Sequence, residues 1–186
     1  MRLFAALEVP EAICATLAAA TRDLRADDRV RWTAPEGWHL TVAFIGETDL
    51  RDDAFAALAE VAAAAGGAIH LRLGAATRRG DRLLWLDVDD EPAGAVQRLG
   101  AHAQDALAAA GVPVDRKAAR GHLTLARGRG GRGRITPALA AAVLRVTGEW
   151  DATDLVLLSS HQAGPRTPNR YEVEGSWALR PALREG

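Results

Sequence analysis

The sequence has a single cysteine, Cys14, so no disulfide can close within the chain, and a lone thiol cannot anchor a zinc cluster. Set among Ala and Leu, that thiol reads as a small buried residue of a protein from a reducing compartment. Long apolar runs are missing too. No stretch approaches the ~20 residues of a membrane span, and Met1-Arg2-Leu3-Phe4-Ala5-Ala6-Leu7-Glu8 is charged too early for a signal peptide. The expectation is a cytoplasmic protein with no membrane partner. Lysine is nearly absent: only Lys117 stands among 23 basic residues, and the formal net charge of −1 excludes a polycation that coats nucleic acid. Only the position of individual arginines can therefore carry meaning.

What is present suffices for a core. The chain has 186 residues, 48% hydrophobic and 25% charged, which are ordinary globular values. A chain of this length buries roughly 70% of its extended surface without disulfide or metal. One two-lobed domain over residues 1–186 is expected, and a monomer, because no heptad seam runs through the sequence.

Leu3 to Val9 reads as a strand, and Pro10 opens a helix to about Arg25, with Ile13, Leu17, Ala20 and Leu24 at helical spacing. A short extended piece at Arg31-Trp32-Thr33 and a turn at Pro35-Glu36-Gly37 lead into a strand from His39 through Ile45. A helix over about 52–65 stops at Gly66-Gly67. Strands over 69–73 and 82–88, joined by a turn at 77–81, make a hairpin. A helix over about 92–110 closes at Gly111, a strand starts at His122, and Thr136-Pro137 begin a helix to near Val146. Strands over 154–159 and 171–179 complete the order. The hairpins argue for mainly antiparallel pairing and hence an α+β fold. A loose duplication, with a helix before and after each histidine strand, could set two halves across a pseudo-two-fold cleft.

Those two strands are near copies. Trp38-His39-Leu40-Thr41-Val42-Ala43-Phe44 and Gly121-His122-Leu123-Thr124-Leu125-Ala126-Arg127 lie 83 positions apart (122 minus 39) in a chain with five histidines. Side chains alternate along a strand, so each His shares a face with the Thr two positions on. Leu40, Val42 and Phe44 would take the packed face of the first copy, and Leu123 and Leu125 that of the second. Strict alternation puts Arg127 opposite His122, so the strand should end or bend before Arg127, helped by Gly128. Two facing imidazoles can serve as general acid and general base near neutrality. Two threonine hydroxyls can donate to phosphate oxygens while an arginine balances developing charge. The set suits metal-free phosphodiester chemistry, with a strained cyclic phosphate as a sensible substrate.

Other features point less far. The run Gly128-Arg129-Gly130-Gly131-Arg132-Gly133 fits G-x-G-x-x-G, with Glu149 and Asp151 where a ribose-binding acid would lie, but Arg134-Ile135-Thr136-Pro137 separate it from its helix and the chain is too short for a second mononucleotide half. It reads better as a basic loop at a cleft rim, with Arg129 offering a phosphate-backbone contact. No metal is indicated, since neither motif histidine is followed by a second ligand. His70, His102 and His161 read as ordinary structural or solvent-facing residues, and Tyr171 and Trp177 as core. Trp32 and Trp38, beside the first motif, are the aromatics placed to edge the site.

The doubled His-Leu-Thr motif, the opening Arg2-Leu3-Phe4-Ala5-Ala6-Leu7, Arg31-Trp32, Arg82-Leu83-Leu84-Trp85-Leu86, and Leu157-Leu158-Ser159 with Tyr171 together resemble the bacterial RNA 2′,3′-cyclic phosphodiesterases, also called 2′-5′ RNA ligases, of the two-histidine phosphoesterase superfamily. The resemblance spans essentially the whole chain. It implies a bilobal α+β fold with two mainly antiparallel sheets facing a central cleft and helices outside. It also implies hydrolysis of RNA 2′,3′-cyclic phosphate ends, or of 2′,3′-cyclic nucleotides, to 2′-phosphate with no cofactor, and reversible ATP-independent 2′-5′ joining. Carried over, His39 protonates the departing 3′ oxygen and His122 activates water, labels that can be exchanged, with Thr41, Thr124 and Arg127 on the phosphate. Family members usually carry an aromatic residue three positions before the second His and a proline directly before it, where this chain has Ala119 and Gly121. The competing readings are a non-catalytic RNA-end or nucleotide-binding module, and a phosphodiesterase acting on 2′-5′ oligonucleotides or small cyclic nucleotides.

Overall fold

Five consecutive apolar residues, Leu3 to Leu7, can be buried on both faces of one strand, and that strand, β1 (Arg2–Glu8), lies inside a sheet rather than at its edge. The computed structural model describes residues 2–26, 30–129, 134–143, 146–161 and 169–181. After β1 come α1 (Glu11–Thr21), β2 (Val30–Trp32), β3 (His39–Glu47), α2 (Arg51–Ala63), β4 (Ile69–Arg79), β5 (Leu83–Glu91), α3 (Ala95–Ala109), β6 (His122–Gly128), α4 (Pro137–Val143), β7 (Glu149–Ala152), β8 (Asp154–His161) and β9 (Arg170–Ala178). Two antiparallel sheets result, one of order β3-β1-β8-β9 and one of order β2-β6-β5-β4-β7. Helix α2 packs on β8 and β9, α4 on β4, and α3 on β3 and β5. The main core draws on both sheets, with Leu7, Leu40 and Leu157 from one and Leu71, Leu86 and Leu123 from the other. The fold is the expected α+β arrangement of two sheets with helices outside.

The pseudo-two-fold relation is present, but its halves are not contiguous in sequence. The first sheet combines strands from both ends of the chain, while the second is built from the middle. Strands β3, β1, β8 and β9 correspond in order to β6, β5, β4 and β7, with β2 added outside β6. A search for similarity between the first and second half of the sequence divides the first sheet and misses this.

Several boundaries move for local reasons. Helix α1 stops at Thr21, not Arg25, because the Thr21 hydroxyl bonds back to the Leu17 carbonyl at 2.8 Å while Arg25 Nε donates to that hydroxyl at 3.0 Å. Helix α3 starts at Ala95, not Pro92, because the Asp90 carboxylate accepts from the Gly94 and Val96 amides at 2.8 and 2.7 Å. The residues expected to form the hairpin turn, Thr77 to Arg79, instead extend β4, pairing with Trp85, Leu84 and Leu83. Strand β7 was not expected. It is four residues long, burying Trp150 and Ala152 and turning Glu149 and Asp151 outward. There Asp151 meets His70 at 2.9 Å and Glu149 meets Arg72 at 3.6 Å, so neither acid waits for a ribose. The dinucleotide reading fails on topology as well: β6 runs antiparallel to both neighbours, where that motif needs parallel strands. Residues 130–133 of the glycine-rich run lie outside the described residues.

Simple alternation breaks in both motif strands at the same place. Ala6 pairs with Thr41 but Ala5 with Ala43, leaving Val42 as the extra residue of a β-bulge; Trp85 pairs with Thr124 but Leu84 with Ala126, leaving Leu125 likewise. Each bulge shifts the phase by one. Phe44, expected on the packed face, therefore lies on the His39 face and is 41% exposed. Arg127 reaches the His122 face without the strand ending, since β6 runs on to Gly128. Phe44 and Arg127 occupy equivalent positions, five residues after each histidine.

Candidate active site

Each motif histidine opens its strand, and the two strands approach within 8 Å at Cα. Thr41 from one sheet and His122 from the other line one pocket of about 590 Å³, together with Phe44, Trp85, Arg79 and Arg120. On the far side His39 lines a second pocket of about 510 Å³ with Glu8, Cys14, Glu36, Trp38 and Tyr171. Arg127, Arg31, Gly37 and Tyr171 line a smaller space between the sheets. The cleft thus has a basic side next to His122 and an acid-rimmed side next to His39.

The two rings are held differently. His39 stacks obliquely on Phe4, centroids 4.7 Å apart, and takes the edge of Tyr171 at 5.0 Å. This apolar enclosure pushes its pKa down to about 4; a hydrogen bond to the Gly37 backbone opposes the fall, and the charges of His122 and Arg127 add to it. The imidazole is neutral at pH 7. His122 lies against Trp85, centroids 4.0 Å apart and planes 26° from parallel. Its Nδ1 donates to the Arg120 carbonyl at 3.0 Å, which leaves Nε2 as the nitrogen available to a substrate. Burial lowers its pKa, the Arg120 carbonyl and the Asp87 carboxylate oppose that, and the Arg79 and Arg120 charges reinforce it. Asp87 sits directly across from His122 and accepts a hydrogen bond from the Thr77 hydroxyl. In each half the backbone two residues upstream favours the protonated ring, through a 3.0 Å hydrogen bond in the case of His122.

Thr41 and Thr124 stand two residues past each histidine on the same face and are half-buried. Arg127, exposed, lies between Leu83 of β5 and Arg31 of β2. Trp38 is only 4% exposed, covered by the Arg25 guanidinium at 5.2 Å, with Trp32 on that cation's other flank at 5.5 Å. Trp38 thus meets the His39 pocket from within the core, and Trp32 borders the space shared with Arg127. Arg129 follows the end of β6 and is exposed. Sequence reasoning missed Phe4, Phe44, Arg79, Asp87 and the contact of Tyr171 with His39. Trp85 and Asp87 alternate with Leu83 on β5, a signal that becomes readable only once β5 is known to flank β6.

Among the described residues, the histidine pair belongs to no group of three potential metal-ligand atoms. One group of three potential ligand atoms within 4.8 Å of one another does occur among the described residues, at His161, Glu172 and Glu174 on the β8–β9 hairpin. Its groups are engaged otherwise: Glu174 accepts from Arg51 at 2.9 Å and His161 Nε2 lies 3.0 Å from the Ser159 hydroxyl. Gly121 also finds its reason here. Its carbonyl accepts from the Val88 amide at 2.8 Å, and a Cβ would stand 2.3 Å from the Val88 carbonyl oxygen. A proline would meet the same obstacle.

A bilobal pair of antiparallel sheets with one His-x-Thr strand from each is the architecture of the two-histidine phosphoesterases. TT0787 of Thermus thermophilus superposes with a TM-score of 0.77 at 25% identity over 98% of this chain and 100% of its own. LigT of E. coli, in a crystal structure with 3′-AMP, superposes at 0.75 with 23% identity over 96% and 97%. The MHV ns2 PDE domain shares the fold at 0.53 and 12% identity, over 94% of this chain and 99% of its own. No curated protein matches by sequence. The sequence model of the 2′-5′ RNA ligase superfamily matches residues 9–164, and the chain belongs to that superfamily. It is an enzyme of phosphodiester chemistry. Among the described residues no helix is long and apolar enough to cross a membrane.

Proposed function

We propose that the enzyme opens 2′,3′-cyclic phosphate ends of RNA to 2′-phosphates and, when a 5′-hydroxyl RNA takes the place of water as the attacking group, forms a 2′-5′ bond. One observation carries the proposal: equivalent His-x-Thr strands from two sheets lie next to each other, and Thr41 of one lines the same pocket as His122 of the other. The Thr41 and Thr124 hydroxyls donate to the non-bridging oxygens, and Arg127 balances their charge. Rings from opposite sheets approach the phosphorus from opposite sides, as an in-line displacement requires.

The surroundings favour exchanging the labels that family resemblance implies. His39, neutral in its aromatic enclosure, takes the proton of the attacking water; His122, whose pKa burial also lowers but whose protonated form the Arg120 carbonyl and the Asp87 carboxylate favour, delivers a proton to the leaving oxygen. Water attacks phosphorus, the P–O3′ bond breaks, O3′ receives the His122 proton, and the product is a 2′-phosphate beside a 3′-hydroxyl. The basic pocket next to His122, with Phe44 exposed in it, suits the nucleotide that bears the ring, and the crystal structure of LigT complexed with 3′-AMP supports a nucleotide as the class of ligand.

The test is turnover of an RNA with a 2′,3′-cyclic phosphate end in the presence of EDTA, with identification of the product isomer. Hydrolysis to the 2′-phosphate by the wild type, lost in His39→Ala and in His122→Ala, is expected. Binding without turnover would favour an RNA-end binding module instead, and turnover that EDTA abolishes would overturn the two-histidine mechanism.

A further inference from the structure

Trp85 and Arg79 take no part in the reaction as written, yet they form a column on His122. The indole lies 4.0 Å from the imidazole centroid to centroid, and the Arg79 guanidinium sits 4.8 Å from the indole centroid. The fold does not require this column. On the other sheet the position equivalent to Trp85 is Ala6, paired with Thr41, and the one equivalent to Arg79 is Leu158, paired with Phe4. That sheet is built to the same plan with two small or apolar residues there, so the column belongs to His122 alone.

We propose that Trp85 and Arg79 are positioning residues for His122: the indole fixes the plane of the imidazole so that Nδ1 keeps the Arg120 carbonyl and Nε2 faces the cleft, and the guanidinium holds the indole in that pose. The kinetic consequence rests on the cyclic-phosphodiesterase reading; the structural one does not. A histidine at the start of a strand has only one hydrogen bond to set its tautomer, and a flat aromatic surface removes the ring rotation that would release it. The charged and titratable groups that face this ring are Asp87 from β5, Arg79 from β4 and Arg120 just ahead of β6, with the neutral His39 from β3. Loss of the column would let the ring turn among them.

The experiment compares wild type, Trp85→Phe, Trp85→Leu and Arg79→Gln, each labelled with ¹⁵N-histidine. Long-range ¹H–¹⁵N spectra read the His122 tautomer without substrate, and kcat and KM are measured on the cyclic-ended RNA. At a pH above the His122 titration, where the ring has lost the Nε2 proton it donates in the reaction, wild type and Trp85→Phe should show a single Nδ1–H tautomer. Trp85→Leu should show both tautomers, with kcat down about tenfold and KM little changed. Arg79→Gln, at an exposed position, should show the same mixing to a smaller degree, and it carries the test if Trp85→Leu fails to fold. A single tautomer in Trp85→Leu, or in Arg79→Gln a single tautomer with raised KM and unchanged kcat, would overturn the proposal. If wild type turns over no substrate, the cyclic-phosphodiesterase reading fails while the spectra still decide the positioning role.

Discussion

Replacing His39 by Gln should flatten the dependence of stability on pH below neutrality. An unfolded histidine takes up its proton near pH 6.5, whereas the folded His39 takes it up only near pH 4. As pH falls through that window the unfolded chain binds a proton that the folded one refuses, so stability drops from about pH 6.5 downward and levels off near pH 4. At about 1.36 kcal/mol per pH unit, the interval from 6.5 to about 4 makes about 3 kcal/mol. Solvent at the cleft-facing edge of the ring screens part of this, so about 2–3 kcal/mol is expected. Urea unfolding of wild type and His39→Gln at pH 7.5, 6.5, 5.5 and 4.5 measures it. The difference in ΔG between the two proteins should be constant above pH 7 and shift by that amount, against the wild type, toward pH 4.5. Parallel curves would refute the account of an enclosed, neutral His39.

Three further outcomes can be checked. Gly121→Ala brings a Cβ to 2.3 Å from the Val88 carbonyl oxygen, so thermal melts should show a loss of about 1–3 kcal/mol. Phe44→Ala removes an exposed aromatic surface from the His122 pocket; KM for a cyclic-ended oligonucleotide should rise by about 5- to 100-fold, the range of one base-stacking contact, with kcat little changed. Leu123→Ala leaves a cavity under the second motif, and chemical denaturation should report about 2–5 kcal/mol of lost stability.

The doubled His-Leu-Thr pattern was legible because its logic is local: a strand with period two places His and Thr together and Leu between them. The α+β class followed from hairpin spacing for the same reason. Phe44 was misplaced and Arg127 was placed for the wrong cause, because a bulge depends on which residue of the neighbouring strand is skipped, and that is a property of pairing rather than of composition. Tyr171 read as core, since its contact with His39 depends on a sheet order in which β1 and β8 separate β9 from β3. Strand β7 is too short to show a pattern, and its acids are explained only by His70 and Arg72 across the pairing.

The joining of the chain's two ends in one sheet also fixes an order of assembly. Strands β2 and β4 to β7 are complete once residue 152 has emerged from the ribosome, so the sheet carrying His122 can close while synthesis continues. Strand β1, made first, can pair with β3 early, but its other edge stays open until β8 arrives, because Leu3 to Leu7 must pair with Leu155 to Ser159. Contacts so distant in sequence form late and at high entropic cost. His39 receives the Tyr171 side of its enclosure only after that. Every residue assigned to the chemistry precedes position 128, yet a nascent chain of that length holds half a catalyst and an unprotected apolar strand.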